Sequence, residues 1–403
     1  MSRSRVEKWA SQEWKNRPAV VLGESVAGLS YVRSLHRRGV PTLLLTPRGW
    51  IDRPSRYGLT VDLPGIVQEP EAWLEVLVTT AERLARRPVL LVAFDHAVLF
   101  VGHHAAELGR LYDFLIPPLS TSAAIVDKHL QYELAAAAGI PIPRTVFPES
   151  SDEALALAAE IGYPCLVKPH VGSAGHMHLG GKAAAVDDPS ALRALFDPLA
   201  ADGIPCMVQE IVPGGDEALY GYLSFWGSDG NEVAWITKQK LRQEPTLYGD
   251  GSYQRTVDVP RVAELSRAFL TALDYRGVGS IEFKYDARDD SFRLMELNPR
   301  AESGNQLAVA AGVDLPYISY AYHVDGALLA WEQQWDVHWI HELRDLKTLL
   351  RESPNPGAAA REWIRSIRRA DTFALSAWDD PVPLLSAFAQ TAFDKGARAL
   401  GLR

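Results

Sequence analysis

The chain is poor in cysteine: Cys165 and Cys206 are the only two among 403 residues. Two thiols cannot build a disulfide framework or a cysteine zinc site, and they fit a reducing, cytoplasmic setting. Long apolar runs are missing as well. The opening MSRSRVEKWASQEWK is charged and no later window is apolar throughout, so neither a secretion signal nor a membrane span is expected. Positive charge is in short supply, with 41 Lys plus Arg against 50 Asp plus Glu and a net charge of −9. No global field exists to hold nucleic acid or an anionic membrane, so any phosphate must be held by a local pocket. What is present is 47% hydrophobic content, enough for two or three domains at roughly 150 residues each.

From Pro18 the chain reads AVVLGESVAGLSYVRSLHRRGVPTLLLT, a strand, a glycine turn, a helix and a second strand. A further helix, EAWLEVLVTTAERLARR, leads to the strand VLLVAF, so a parallel sheet flanked by helices is expected. The turn Gly23-Glu24-Ser25-Val26-Ala27-Gly28 has Ser where a dinucleotide fingerprint needs its second glycine, and no acidic residue ends the next strand. This argues against NAD and leaves packing, or a small substrate at the strand ends. After Pro117-Pro118, STSAAIVDKHLQYELAAAAGIPIP and SDEALALAAEIGYP read as helices and CLVKP as a strand. CMVQEIV, LYGYLSFW, EVAWITKQK, SYQRTVDV, SIEFKYD and FRLMELN suggest an antiparallel set, making the middle α+β. Beyond residue 325, stretches such as REWIRSIRRA read as a helical tail, and Trp331, Trp335 and Trp339 at i, i+4, i+8 would form one stripe, compatible with a homodimer.

Four pieces of sequence carry chemistry together. Lys128 sits near the start of a helix, and Lys168 ends a strand ahead of a loop containing Gly172, Gly175, Gly180 and Gly181. Such a loop brings backbone N–H groups onto phosphate oxygens while lysine adds a point charge, although the spacing is not that of a P-loop. His176 and His178 in this loop lack a third metal ligand nearby and read as loop residues rather than a zinc site. Glu282 and Glu296 fall on the two strands of an expected hairpin, with Asn298 on the same face as Glu296 because strand side chains alternate. Hard oxygen donors of this kind suit Mg²⁺, and Arg300, next along that face, could grip a phosphate or carboxylate bidentately.

In this order the pieces resemble the ATP-grasp superfamily over roughly residues 120 to 320, carried by VDKHLQYELAAAAGIPIP, GYPCLVKPHVGSAGHMHLGG, MVQEIVPGGDE, IEFKYD and MELNPR. The resemblance implies a Rossmann-like α/β pre-ATP-grasp domain over 1–119, an α+β ATP-grasp domain over 120–325 with its lid at about 140–212, and a helical region over 326–403. It implies that Lys128 and Lys168 contact ATP phosphates and that the loop with Gly172, Ser173 and Gly175 closes over them. Glu210, Ile211 and Val212 would form the adenine hinge, Glu217 would hold the ribose, and Lys238 or Lys240 would add a phosphate contact. Glu282, Glu296 and Asn298 would bind Mg²⁺, with two ions expected, and Arg300 or Arg255 would act with Lys168 on the transferring phosphoryl group. The implied reaction activates a small-molecule carboxylate as an acyl phosphate for attack by an amine. A kinase or ligase acting on an enol or hydroxyl, and a non-catalytic nucleotide-binding protein, are the alternatives. GESVAGLSYVRSLHRRGVP and the late AWDDPVP add a looser resemblance to carboxylate–amine ligases of the D-aspartate ligase-like group.

Overall fold

A computed structural model describes residues 2–48, 55–170 and 179–389. Its strands form three sheets. Strands β1 (Ala19–Leu22), β2 (Thr42–Pro47), β3 (Leu59–Leu63) and β4 (Val89–Val92) pair in parallel in the order β3-β2-β1-β4. Parallel strands need covered faces: Leu22, Leu43 and Leu90 pack with Trp73 and Val98 on one side, while Val21 and Leu91 pack with Tyr31 and Leu35 on the other. At the glycine turn, a Cβ on Gly23 would stand 2.7 Å from Gly28 Cα. Glycine there lets the helix Ser25–Arg37 sit directly against the end of β1.

A smaller sheet holds β5 (Thr145–Val146), β6 (Cys165–Pro169), β7 (Ala184–Val186) and β8 (Cys206–Glu210) in the order β5-β8-β6-β7, all antiparallel. The helices Ser151–Ile161 and Pro189–Ala201 cover it with Ala154, Ala158, Leu192 and Phe196. Both cysteines lie in this core, where burial pushes their thiols up to about 11, so each behaves as a small apolar side chain.

The largest sheet is built from β9 (Leu219–Trp226), β10 (Glu232–Glu244), β11 (Asp250–Thr256), β12 (Gly277–Asp286), β13 (Ser291–Asn298), β14 (His338–Ile340) and β15 (Thr372–Phe373), ordered β13-β12-β9-β10-β11-β14-β15. One face is apolar under the helix Pro260–Ala272, where Phe269 and Leu270 meet Ile281, Phe283, Leu294 and Leu297. The other face changes character along its strands. Leu223, Phe225, Ala234 and Ile236 pack under the helices Asn305–Ala310 and Leu315–Asp325, but the next registers carry Lys238 and Glu282 across Gly221, then Lys240 and Lys284. That polar half is the floor of the candidate site.

Three differences from the sequence reading have local causes. The stretch read as one helix from Ser120 to Ala138 is two, Leu119–Val126 and Lys128–Ala137. Asp127 is extended between them, and its carboxylate accepts the N–H groups of His129 and Leu130. The expected helical tail contributes the helices Glu342–Glu352 and Pro356–Arg369 but also β14 and β15 to the large sheet. The tryptophans do not form a helical stripe: Trp339 is buried in β14, while Trp331 precedes it and donates to the Val233 carbonyl. Among the described residues no helix is long and apolar enough to cross a membrane.

Candidate active site

Strand register brings the carboxylates together. Glu282 on β12 lies directly opposite Glu296 on β13, and Ser280 opposite Asn298. The register then slips, so that Phe283 faces Leu294. The extra residue, Met295, is a β-bulge that resets the alternation, letting Leu294 enter the core while Glu296 stays on the polar face. The bulge is tied down where Tyr132 donates to the Met295 carbonyl at 3.0 Å.

Cations converge on these carboxylates. Lys128 Nζ donates to Glu296 Oε1 at 2.6 Å, and Lys240 pairs with Glu282. Burial works against the charge on both lysines, but the carboxylate beside each outweighs it and raises their pKa values. Burial likewise opposes ionisation of Glu296, and Lys128 overcomes it, holding that carboxyl well below the usual range. Lys238 is buried, donates to Gln254 Oε1 at 2.7 Å and pairs with Glu302. It owes its path to Gly221, where a Cβ would lie 2.5 Å from the Lys238 Cε.

Lys168, on the small sheet, donates to Gln209 Oε1 at 3.0 Å, and Gln209 in turn donates to the Tyr132 hydroxyl at 3.0 Å. This chain of bonds sets the lysine against the helix that carries Lys128. Burial, reinforced by the Lys128 charge, lowers the Lys168 pKa to about 8. Gly172, Ser173, Gly175, His176 and His178 lie outside the described residues.

At the end of β8, the Glu210 carboxylate is taken up by two arginines. Oε1 accepts the Arg144 N–H at 2.9 Å and Oε2 accepts from Arg144 Nε and Arg288 Nη2 at 3.3 and 3.2 Å. Burial opposes this charge, but the bonds from Arg144 and Arg288 lower its pKa. Ile211 and Val212 follow, with Val212 buried, and Glu217 is exposed in the short 3-10 turn Asp216–Ala218. The Glu217 carbonyl accepts from Gln239 Nε2 at 2.7 Å.

The two nominated arginines part company. Arg300 is beside Asn298, donating to its Oδ1 at 3.3 Å, and forms a two-pronged pair with Asp95 of the parallel-sheet unit at 2.8 and 2.9 Å. Burial opposes its charge, but Asp95 raises its pKa further. Arg255 pairs in register with Gln239, one residue out of phase with Lys238 and Lys240, and so lies on the opposite face. There it bonds Gln239 Oε1 and Asp336 Oδ1, each at 3.0 Å. The structure therefore corrects the nomination of Arg255. Arg255→Lys should leave turnover within about threefold, as expected for a change away from buried or reacting groups; a hundredfold loss in steady-state rate would return Arg255 to the site.

Residues not singled out from sequence complete the constellation. Lys182, just past the glycine loop, bonds Asp250 at 2.6 Å, and Arg344 of the helix Glu342–Glu352 lies 3.5 Å from the same carboxylate. Burial opposes ionisation of Asp250, but Lys182 and Arg344 lower its pKa to about 2. Lys182 follows two glycines, a usable signal, whereas Arg344 sits among many charges of an amphipathic helix and had none. Among the described residues no three His, Cys, Asp or Glu side chains cluster as a metal site. Glu282, Glu296 and the Asn298 carbonyl are nonetheless oxygen donors on one face, a fit for Mg²⁺, which takes one or two carboxylates and completes its shell with water and phosphate.

Two family models match the chain. "ATP-grasp in the biosynthetic pathway with Ter operon" matches residues 225–343, and "Carbamoyl-phosphate synthase L chain, ATP binding domain" matches residues 127–199. D-aspartate ligase of Enterococcus faecium is 22% identical over 285 residues, covering 65% of this chain and 66% of that enzyme, just under two thirds of its length. An ADP complex of N5-carboxyaminoimidazole ribonucleotide synthetase superposes with a TM-score of 0.65 at 11% identity, over 89% of this chain and 97% of that one. The biotin carboxylase domain of Hydrogenobacter thermophilus 2-oxoglutarate carboxylase, in complex with MgADP and bicarbonate, gives 0.62 at 15% identity, over 80% and 73%.

Proposed function

The chain belongs to the ATP-grasp superfamily, and from that premise we propose that it is an ATP- and Mg²⁺-dependent carbon–nitrogen ligase joining a small-molecule carboxylate to an amine. The observation that carries this reading is the opposed pair Glu282 and Glu296 with Lys240 and Lys128 upon them. A module that only bound nucleotide would have less use for two opposed, part-exposed carboxylates each preset by a lysine. The parallel-sheet unit corresponds to a pre-ATP-grasp domain and the small sheet over 145–210 to a lid.

Phosphoryl transfer asks mainly for positioning and charge neutralisation. Lys128, Lys168 and the pair Lys238 and Lys240 hold the phosphates of ATP, the backbone of Glu210 to Val212 reads adenine, and Glu217 reaches the ribose. Glu282, Glu296 and Asn298 would hold Mg²⁺, which would supply charge neutralisation at the phosphates. Arg300, preset by Asp95, orients the carboxylate. That carboxylate oxygen attacks the γ-phosphorus and the bond to ADP breaks. The amine nitrogen then attacks the acyl carbon, forming the C–N bond as phosphate leaves with the C–O bonding pair and nitrogen gives up a proton. No enzyme nucleophile takes part.

Screening pairs of acids and amines for products tests the reading. Equal release of ADP and inorganic phosphate that depends on both substrates is expected. ADP with a stable phosphorylated product would point to a kinase, and AMP would exclude both. Lys168 gives a pH test. Its charged form predominates below its pKa of about 8, and phosphate binds that form, so ATP affinity should weaken as pH rises from 7 to 9, by several-fold. In Lys168→Arg, whose cation does not titrate, calorimetric affinity should stay flat over that range.

A further inference from the structure

One lysine of the polar floor stands apart from the others. Lys128, Lys238 and Lys240 each have a carboxylate upon them, and Lys168 has the Gln209 amide. Lys284 has neither: it is only 8% exposed, yet among the described residues it makes no hydrogen bond or ion pair. A buried ammonium without a partner is costly, so Lys284 is held at the expense of stability. Its nitrogen is not one of the sealed-off polar atoms, so the tip opens on space that a ligand can enter.

The charged neighbours of Lys284 are Asp216, Glu217, Glu282 and Asp286. Three of these are taken: Glu282 pairs with Lys240, Asp286 pairs with Arg288 at 2.6 Å, and Asp216 accepts the N–H groups of Gln243 and Leu247 at 2.8 and 3.0 Å. Glu217 remains. Its carboxylate folds over the loop before it, where Oε2 comes 2.6 Å from the place a Cβ on Gly215 would occupy. Lys284 Cε approaches the same loop one residue earlier, 4.0 Å from the place of a Cβ on Gly214. Two adjacent glycines thus admit an acceptor and a donor to neighbouring positions, and the two do not close on each other.

Strand pairing sets what would lie between them. Lys284 is opposite Leu219, the residue that follows the turn carrying Glu217. It is also two residues beyond Glu282 on the same face, about 7 Å along β12. Lys284 therefore stands between the carboxylate pair and the segment Glu210 to Val212, where a nucleotide spanning the two would place its sugar. A ribose offers two adjacent hydroxyls, each of them both donor and acceptor. A carboxylate takes their protons and an ammonium meets their lone pairs.

We propose that Lys284 and Glu217 form a donor–acceptor clamp on the ribose hydroxyls of ATP, with Lys284 as a nucleotide contact that sets the preference for ribose. The clamp rests on the nucleotide reading above.

Calorimetric titrations of the full chain with the Mg²⁺ complexes of ATP, 2′,3′-dideoxyATP and tripolyphosphate test it. The unaltered chain should favour ATP over the dideoxy nucleotide by at least about tenfold. Lys284→Met should weaken ATP about tenfold, the loss of one hydrogen bond from a charged group, and leave dideoxyATP and tripolyphosphate unmoved. Its ligand-free melting temperature should be no lower, since the lysine has no partner to lose. An unmoved ATP affinity, or an equal loss for tripolyphosphate, would overturn the proposal. So would lowered ligand-free melts in both Lys284→Met and Lys284→Gln, the mark of a structural lysine. Failure of the unaltered chain to bind ATP would remove the nucleotide reading itself, whereas ATP binding with the ribose preference intact in Lys284→Met would remove the clamp alone.

Discussion

Glu296→Gln should lower ATP-dependent product formation by two to three orders of magnitude, about 3 to 4 kcal/mol of transition-state stabilisation, while the fold survives. The substitution keeps shape and hydrogen-bonding capacity and removes one charge. That charge has two tasks. It balances Lys128 at 2.6 Å, and it is half of the carboxylate pair that register places across β12 and β13. With glutamine there, Lys128 loses its preset position and the metal loses a ligand, so the rate should fall more than ATP affinity. Steady-state kinetics and a thermal melt together check this. Near-normal ATP consumption with a normal melt would remove Glu296 from the metal site.

Asp380→Ala should cost about 3 to 5 kcal/mol of stability, read from urea unfolding, because it strands a buried charge. Arg33 and Asp380 are both buried, and Arg33 Nε donates to Asp380 Oδ2 at 3.0 Å while its other nitrogens reach the carbonyls of Ala374, Leu375 and Asp380. Asp380 also accepts from Ser55 Oγ at 2.8 Å and the Arg56 N–H at 3.1 Å. Burial lowers the Arg33 pKa and Asp380 is the main group that raises it, so the removal of Asp380 leaves the penalty largely unopposed. The paired replacement Arg33→Met with Asp380→Leu should recover a large part of the loss. A double variant as unstable as the two single losses summed would show that the pair is not one unit.

The hairpin of Glu282 and Glu296 was legible because strand alternation is local: IEFKYD and MELNPR carry their spacing in a dozen residues. The bulge at Met295 was not, since it answers to Tyr132 and to Leu294 in the core. Lys128 was legible as a lysine in the first half of a helix, but the break at Asp127, whose cap puts Lys128 at the first position of a second helix, was not. Arg255 failed because an arginine near a run of lysines says nothing about which face it shares, and one step of strand phase decides that. Asp95 with Arg300 joins residues 205 positions apart, and Lys182 with Asp250 joins residues 68 apart. Such pairs are set by how sheets dock, which no local spacing encodes. The same holds for the C-terminal strands, whose short runs inside charged sequence resemble loop.

The Arg33–Asp380 contact has a consequence in time. Its partners are 347 residues apart, so at roughly 5 to 20 residues per second a ribosome separates their synthesis by about 20 to 70 s. During that interval the helix Ser25–Arg37 has its apolar side to pack on β1, but its guanidinium has no carboxylate to meet. The parallel sheet must therefore wait with a charged side chain in water until the segment that carries Asp380 is made and stitches it under.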